Sequence, residues 1–468
     1  METSIMNRLK QIIFSFFLGI FFVFIQEDSL ACTVFRMKAT DGNITVARSM
    51  EFGVDLHYDL IVVPRGHSFV SPSPVSKAGI KWKTKYGYLG VASMGMDVGV
   101  SDGMNEQGLA VSVLWYEPNT EYQSVAPADS AQALAQMMYP DWALGNFSTV
   151  DEVRLATGKA KVFNYSDTSK MKGPLTVHYI VYDAQGGCIV VEYDQGVCHI
   201  YDNPLGIMTN APSFPWQMTN LRQYIAMGPV NPAPAIINGV PFRPTGHGAG
   251  MFGLPGDYSP PSRFVRLAFF QEFTDKQPDA PSNLNLCQHV INTFTIPFGI
   301  LVDKDAAGKV VSNESTQWVT FRDLSNKLFY YKTYSDPTLR KLDLNTMGFS
   351  GNQITRMSMY GSGPSTESKE QEGHVVIGRV QEPFEIKLEG CPTCGYAWFL
   401  GPFDSTAIRL LSHSTISLNK DPGVVGGNAL EVWNLTGLRK GEFQLTFRYK
   451  KPWIEAVEKT EQFRVKIR

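Results

Sequence analysis

Cys32 follows Ser29-Leu30-Ala31, and small residues at the third and first positions before a bond are what signal peptidase accepts. A cut after Ala31 leaves Cys32 with a free α-amine beside its own thiol. Those two groups suffice for nucleophilic catalysis: the amine takes the thiol proton, the sulfur attacks a carbonyl, and an acyl-enzyme forms. Magnitudes favour this base. An α-amine of pKa about 7.7–8.0 is roughly 10–17% neutral at pH 7, whereas a lysine near 10.4 is about 0.04% neutral. A neighbouring cation lowers a thiol pKa further, and Arg48 is a candidate supplier. Taken alone, a cysteine at a cleavage site is weak, because a lipoprotein cysteine or a chance residue looks the same.

The segment before Cys32 sets the compartment. Arg8 and Lys10 precede an apolar run from Ile12 to Ile25, and Gln26-Glu27-Asp28 leads into the cleavage site. That run is shorter than the roughly 20 residues a membrane-spanning helix needs. Residues 1–31 therefore read as a cleaved signal peptide, and the product as secreted or periplasmic. The lipoprotein reading wants an aliphatic residue three places before the cysteine, where Ser29 stands. It would also block both groups of Cys32.

Composition narrows the partners. The net charge is −2 and no basic run stands out, which argues against a nucleic-acid partner. Eight histidines are scattered without a paired spacing, so no metal site is expected. The six cysteines, Cys32, Cys188, Cys198, Cys287, Cys391 and Cys394, are too few in this length for a disulfide framework. Cys391 and Cys394 are the nearest candidates for a pair in an oxidising compartment.

The elements that must carry such a site are a mixture. Val177 to Tyr182, Cys188 to Tyr193 and Val197 to Tyr201 are β-rich runs separated by Ala184-Gln185-Gly186-Gly187 and Asp194-Gln195-Gly196, which predicts an antiparallel meander. Thr149-Val150-Asp151-Glu152 is a capping-box pattern. Ser259-Pro260-Pro261 opens a helix running to about Phe273, with proline in its first turn. Strands and helices that do not alternate regularly point to layered α+β architecture. A polar, glycine-bearing stretch reads as a linker over 358–373. Beyond it, 374–468 holds short strand-like runs such as Glu385 to Leu388, Gln444 to Tyr449 and Phe463 to Ile467, the pattern of a small β-sandwich.

Ordered motifs add a family to this reading. Cys32-Thr33-Val34-Phe35, Asp41-Gly42-Asn43 and Ala47-Arg48-Ser49-Met50-Glu51-Phe52 are followed by Ser101-Asp102-Gly103-Met104-Asn105-Glu106-Gln107-Gly108-Leu109 and Met208-Thr209-Asn210-Ala211-Pro212. Leu254-Pro255-Gly256-Asp257-Tyr258-Ser259, Ser262-Arg263-Phe264 and Thr316-Gln317-Trp318 complete the series. Residues 32–357 in this way resemble the choloylglycine hydrolase and penicillin V acylase family of N-terminal-nucleophile (Ntn) hydrolases. The resemblance implies a four-layer αββα sandwich, no cofactor, and hydrolysis of a linear, non-peptide amide such as a conjugated bile salt, penicillin V or an N-acyl homoserine lactone. It implies Cys32 as nucleophile and base, Arg48 beside the thiolate, Asn210 as oxyanion donor and Arg263 ordering the pocket. Glu51 stands where better-known members carry an aspartate. Trp115 takes the place of a second oxyanion-region asparagine and is a substrate-binding candidate; its indole can donate a hydrogen bond but not accept one. Family members are commonly tetramers, so the resemblance also implies a homo-oligomer.

Three loops after the linker resemble the chagasin family, immunoglobulin-like inhibitors of papain-type cysteine proteases. Pro392, Thr393, Gly395 and Tyr396 match its first inhibitory loop, Gly426 and Gly427 its second, and Pro452 and Trp453 its third, with Lys451 in place of arginine. A papain-type protease is the partner this implies. Cys391 and Cys394 depart from that family's first loop.

Overall fold

The structure, a computed structural model, describes residues 31–118, 120–165, 175–305, 307–360, 374–390, 396–417, 429–451 and 457–468. The expected signal segment up to residue 30, residues 361–373 of the linker expected over 358–373, and Cys391 and Cys394 lie outside the described residues, as do the loop positions Pro392, Thr393, Gly395, Gly426, Gly427, Pro452 and Trp453; Ser358 ends the strand Thr355–Ser358. The chain divides into two compact units, Met1–Pro364 and Ser365–Arg468.

Two large antiparallel sheets form the body of the first unit, beside three two-stranded pairs. One runs in the order Ile207–Met208, Thr33–Lys38, Ile44–Phe52, Val310–Asp323, Leu328–Thr333 and Arg340–Asp343, with Leu301–Lys304 also pairing the long fourth strand. The other runs Val197–Asp202, Cys188–Asp194, Val177–Tyr182, Ala110–Trp115, Asp102–Asn105, Tyr88–Ala92, Asp59–Val63 and Thr355–Ser358. The meander expected from the glycine turns forms its first three strands.

Period-two alternation sorts the side chains of this second sheet. Leu60, Ile180 and Tyr182 join a core with Val34, Val46, Trp318 and Phe321 of the first sheet. Their neighbours Ile61, Val63, Tyr179 and Val181 belong to a separate core with Trp142, Leu144 and Val153. Helices Tyr139–Asn146 and Val150–Thr157 pack there, and helices Pro260–Phe273 and Ala280–Asn292 pack on the strands of the first sheet. The layers thus run helix, sheet, sheet, helix. Thr149 caps its helix as expected: its side chain accepts from Glu152 N, and Glu152 reaches back to the cap backbone.

The second unit is all strand among its described residues. His374–Gly378, Val457–Ile467, Gly441–Lys450 and Ala397–Leu400 form one sheet, and Pro383–Gly390, Ala429–Gly437 and Ile408–Ser417 another. Pro383–Gly390 alternates exposed and buried residues along its whole length, as a strand with one solvated face must. Ile386, Leu435, Leu445, Phe447 and Val465 pack together, so both sheets feed one core.

Candidate active site

Strand pairing brings the first motifs together. Thr33–Lys38 lies antiparallel to Ile44–Phe52, with Thr33 opposite Ser49 and Val34 opposite Arg48. Residues two apart share a face of a strand, so Arg48 and Met50 point the same way, and both meet the Cys32 sulfur. Met50 Sδ lies 3.5 Å from Cys32 Sγ and Arg48 Nη2 lies 3.9 Å from it. Glu51 points the other way, toward Thr316 of the neighbouring strand, whose hydroxyl donates to Glu51 Oε1 over 2.7 Å.

Arg48 is fully buried and needs acceptors for a guanidinium it cannot neutralise. It donates to the carbonyls of Ser101 and, at 2.5 Å, Val113, and its ring-facing side covers Trp318 at 5.1 Å. Asp102 stands 3.5 Å away and also binds Arg322 at 2.7 Å, with Ser112 and Thr320 hydroxyls each donating to it over 2.7 Å. Two guanidiniums around one carboxylate leave this buried cluster net positive. That charge is what a developing thiolate requires.

Asn210 and Arg263 hold the other side of Cys32. Asn210 Oδ1 accepts from Cys32 N at 2.9 Å and from Arg263 Nη2 at 2.7 Å, while its Nδ2 donates to the Trp115 carbonyl at 2.8 Å. Arg263, in the first turn of its helix, donates to the Cys32 carbonyl, to Thr33 Oγ1 at 2.8 Å and to the Tyr258 carbonyl at 2.8 Å. The chain runs unbroken through Ala31, so Cys32 N is an amide here. Ala31 is itself buried, and its N–H donates over 2.5 Å to Oε1 of Glu314, a buried carboxylate on the long strand Val310–Asp323.

Burial dominates the electrostatics of the thiol. Arg48 does pull the Cys32 thiol down, but burial pushes it up by more, and the Glu51 carboxylate adds to the rise. The net direction is upward, which favours the protonated thiol. Burial also pushes Glu51 up to about 8, against the pull of the Arg263 guanidinium and the Thr316 hydroxyl. Trp115 spends its one indole donor locally. Its indole N–H donates to Glu117 Oε2 at 3.0 Å, so it does not replace a missing amide donor at the sulfur. Its backbone carbonyl holds Asn210, and the residue also lines the cavity at Cys32.

A cavity opens on the Cys32 sulfur. Met50, Met94, Met96, Met137, Tyr58 and Trp115 contribute to its wall, and none of the lining residues among those described is charged. Asp141 supports that wall from behind: its carboxylate accepts from Tyr88 Oη at 2.7 Å and from Gly99 N at 2.7 Å. Gly99 leads into Ser101, which carries Arg48. Among the described residues, no group of three or more His, Cys, Asp or Glu side chains is placed to hold a metal.

The structure brings Cys32, Arg48, Glu51, Asn210, Arg263 and Trp115 into one neighbourhood, and sequence reasoning missed Asp102, Asp141, Glu314 and Thr316. Asp102 and Thr316 lay inside quoted motifs but had no visible partner. Of the inhibitor-loop candidates only Tyr396 is described; it stacks on Tyr449 with ring centres 5.3 Å apart.

Comparison with known proteins agrees with this geometry. A bile salt hydrolase/transferase of Clostridium perfringens is 28% identical over 327 residues, covering 69% of this chain and 95% of its own. A conjugated bile acid hydrolase structure from the same organism, a single-residue variant, superposes with TM-score 0.62 at 26% identity, covering 72% of this chain and all of its own. A penicillin V acylase structure from Agrobacterium tumefaciens gives TM-score 0.56 at 26% identity, covering 70% and 91%. Residues 379–467 match the chagasin family of peptidase inhibitors. Residues 32–356 match the linear amide C–N hydrolases of the choloylglycine hydrolase family, and the chain belongs to that family as a hydrolase of carbon–nitrogen bonds in linear amides.

Proposed function

We propose that, once cut after Ala31, the protein splits an amide with an apolar, uncharged acyl half through a thioester on Cys32. One observation carries this reading: Cys32 N is held by Asn210 while Cys32 lines a cavity whose wall, among the described residues, holds no charge. In acylation the freed α-amine takes the thiol proton and the sulfur adds to the substrate carbonyl. The amide group of Asn210 has one hydrogen on Trp115 O and a second to offer the oxyanion. Collapse breaks the C–N bond, and the Cys32 ammonium returns its proton to the departing amine. Water, deprotonated by the same amine, then cleaves the thioester. Arg48 supports the sulfur as charge builds on it.

Four methionines suit a flexible or bulky acyl group, because their side chains repack at little cost. Substrates to try are a taurine-conjugated bile salt, penicillin V and a long-chain N-acyl homoserine lactone. Amine release by protein starting at Cys32 is expected from at least one, and Cys32→Ala should reduce it to background. Release undiminished in that variant would sink the reading. Mass spectrometry of the exported protein should find an unmodified Cys32 terminus; an acylated one would end it as well.

A second reading rests on the family match of residues 379–467. Its two packed sheets suit the immunoglobulin-like frame of such inhibitors, and the unit would then block a papain-type protease. Titrating the whole protein against papain tests this, and full papain activity at micromolar excess would exclude it.

A further inference from the structure

Asn210 belongs to a short segment, Thr209 to Phe214, whose two ends are held by one pair of buried side chains. His178 and Glu192 stand on the paired strands Val177–Tyr182 and Cys188–Asp194, one step along the register from Tyr179 and Val191. They therefore face each other across the strands. Both share a strand face with Ile180 and Val190, which pack in the core between the two large sheets.

The links run in sequence. His178 Nε2 lies 3.1 Å from the Thr209 carbonyl, which can only accept, so this ring nitrogen is the donor. His178 Nδ1 lies 3.2 Å from Glu192 Oε1, a hydrogen bond whichever of the two carries the proton. Glu192 in turn accepts from Phe214 N at 3.0 and 3.2 Å. The imidazole is also stacked on Tyr116, with ring centres 4.6 Å apart and planes 6° from parallel. Tyr116 follows Trp115, whose carbonyl holds the Asn210 side chain.

Neither side chain lines the cavity at Cys32, and the chemistry proposed above uses neither. Both are only 1% exposed, and buried polar groups are costly unless paired. Here the pairing is spent on the backbone around Asn210. The carbonyl that His178 holds belongs to the peptide joining Thr209 to Asn210, so the bond fixes the plane from which the Asn210 side chain departs. An oxyanion donor must be aimed before the charge forms, to within about 0.5 Å and 10–20°.

We propose that His178 and Glu192 are positioning residues for catalysis: they clamp Thr209 and Phe214 so that the Asn210 amide is aimed at the oxyanion. This rests on the role given to Asn210 above and deepens it. An oxyanion exists only in the transition state, so loosening the clamp lowers kcat and leaves KM in place.

The test is a double-mutant cycle in the mature protein. Its substrate is the bile salt, penicillin V or homoserine lactone, whichever is turned over fastest. His178→Phe keeps the stack on Tyr116 and removes both links; kcat should fall about thirtyfold or more, with KM within about threefold. In an Asn210→Ala background the same substitution should change kcat by less than about threefold, because the group it aims is gone. Glu192→Gln can still accept from Phe214 N and donate to His178 Nδ1, so its kcat should exceed that of Glu192→Leu about tenfold or more. A His178→Phe penalty that persists in full in the Asn210→Ala background overturns the proposal. So does a rise in KM at constant kcat, or equal loss in the two Glu192 variants. Each of these leaves the Asn210 role standing. An Asn210→Ala variant as fast as wild type sinks both, as does absence of Cys32-dependent release from all three substrates. Should His178→Phe fail to fold, Glu192→Leu takes its place in the cycle with the same expected outcomes.

Discussion

Asn210 serves three partners with one amide. Its oxygen accepts from Cys32 N and Arg263, and its nitrogen donates to the Trp115 carbonyl, leaving the hydrogen that the proposed mechanism gives to the oxyanion. Asn210→Ala should lower kcat by about 10²–10³, the usual cost of an oxyanion donor. Asn210→Asp separates the roles, because a carboxylate can hold the ammonium and the guanidinium but donates nothing; burst kinetics with a chromogenic amide should show its loss in acylation. Glu51 permits a stability prediction with a definite sign. Its carboxyl is raised from an ordinary 4.5 to about 8, so the folded protein keeps that proton while the unfolded chain loses it. Stability from this group therefore falls as pH rises from about 4.5 to 8. Glu51→Gln removes the effect, and its melting temperature should gain on wild type steadily across that window. A gap that narrows with rising pH would contradict the buried, protonated carboxyl.

At the scale of elements, the motif from Ser101 to Leu109 acts mostly through backbone. Asn105 ties its hairpin to the end of helix Tyr139–Asn146 by donating to Leu144 O and Phe147 O, and its oxygen accepts from Gln107 N and Leu109 N. Gly108 turns the chain with φ +85°, and a Cβ there would sit 2.4 Å from Leu324 O. Gly108→Ala should cost about 1–3 kcal/mol for the backbone conformation alone, visible as a lower calorimetric Tm. Local signals of this kind were readable in advance: the glycine turns of the meander, the capping box at Thr149, the proline start at Pro260. What could not be read were meetings between distant strands. Asp102 gives no hint that Arg322 and Thr320 will close on it, nor Ala31 that Glu314 waits 283 positions along the chain. Those contacts come from the pairing of Ile44–Phe52 with Val310–Asp323 and from sheet facing sheet, which no local period encodes. Nor could spacing show that burial outweighs Arg48 at the Cys32 thiol.

For the molecule as a whole, what matters is that the two units do not share a core. Every described residue of the candidate site belongs to the first unit, and the second unit has a core of its own. Protein ending near residue 360 should therefore keep Cys32-dependent amide hydrolysis within a few-fold of the longer chain, measured as kcat/KM on one substrate. A complete loss in a folded truncation would show that the second unit is needed for turnover. The grip of Asn210 and Arg263 on Cys32 reaches further than catalysis. A polypeptide beginning at Cys32 has its first residue locked inside the protein, where chain ends ordinarily fray. Aminopeptidases would find no loose end to trim, and anything left ahead of Cys32, an initiator methionine or a purification tag, would have to fit the buried place of Ala31 and would leave Cys32 without a free amine. If the proposed cut after Ala31 is made, that one proteolytic event is what switches the protein on.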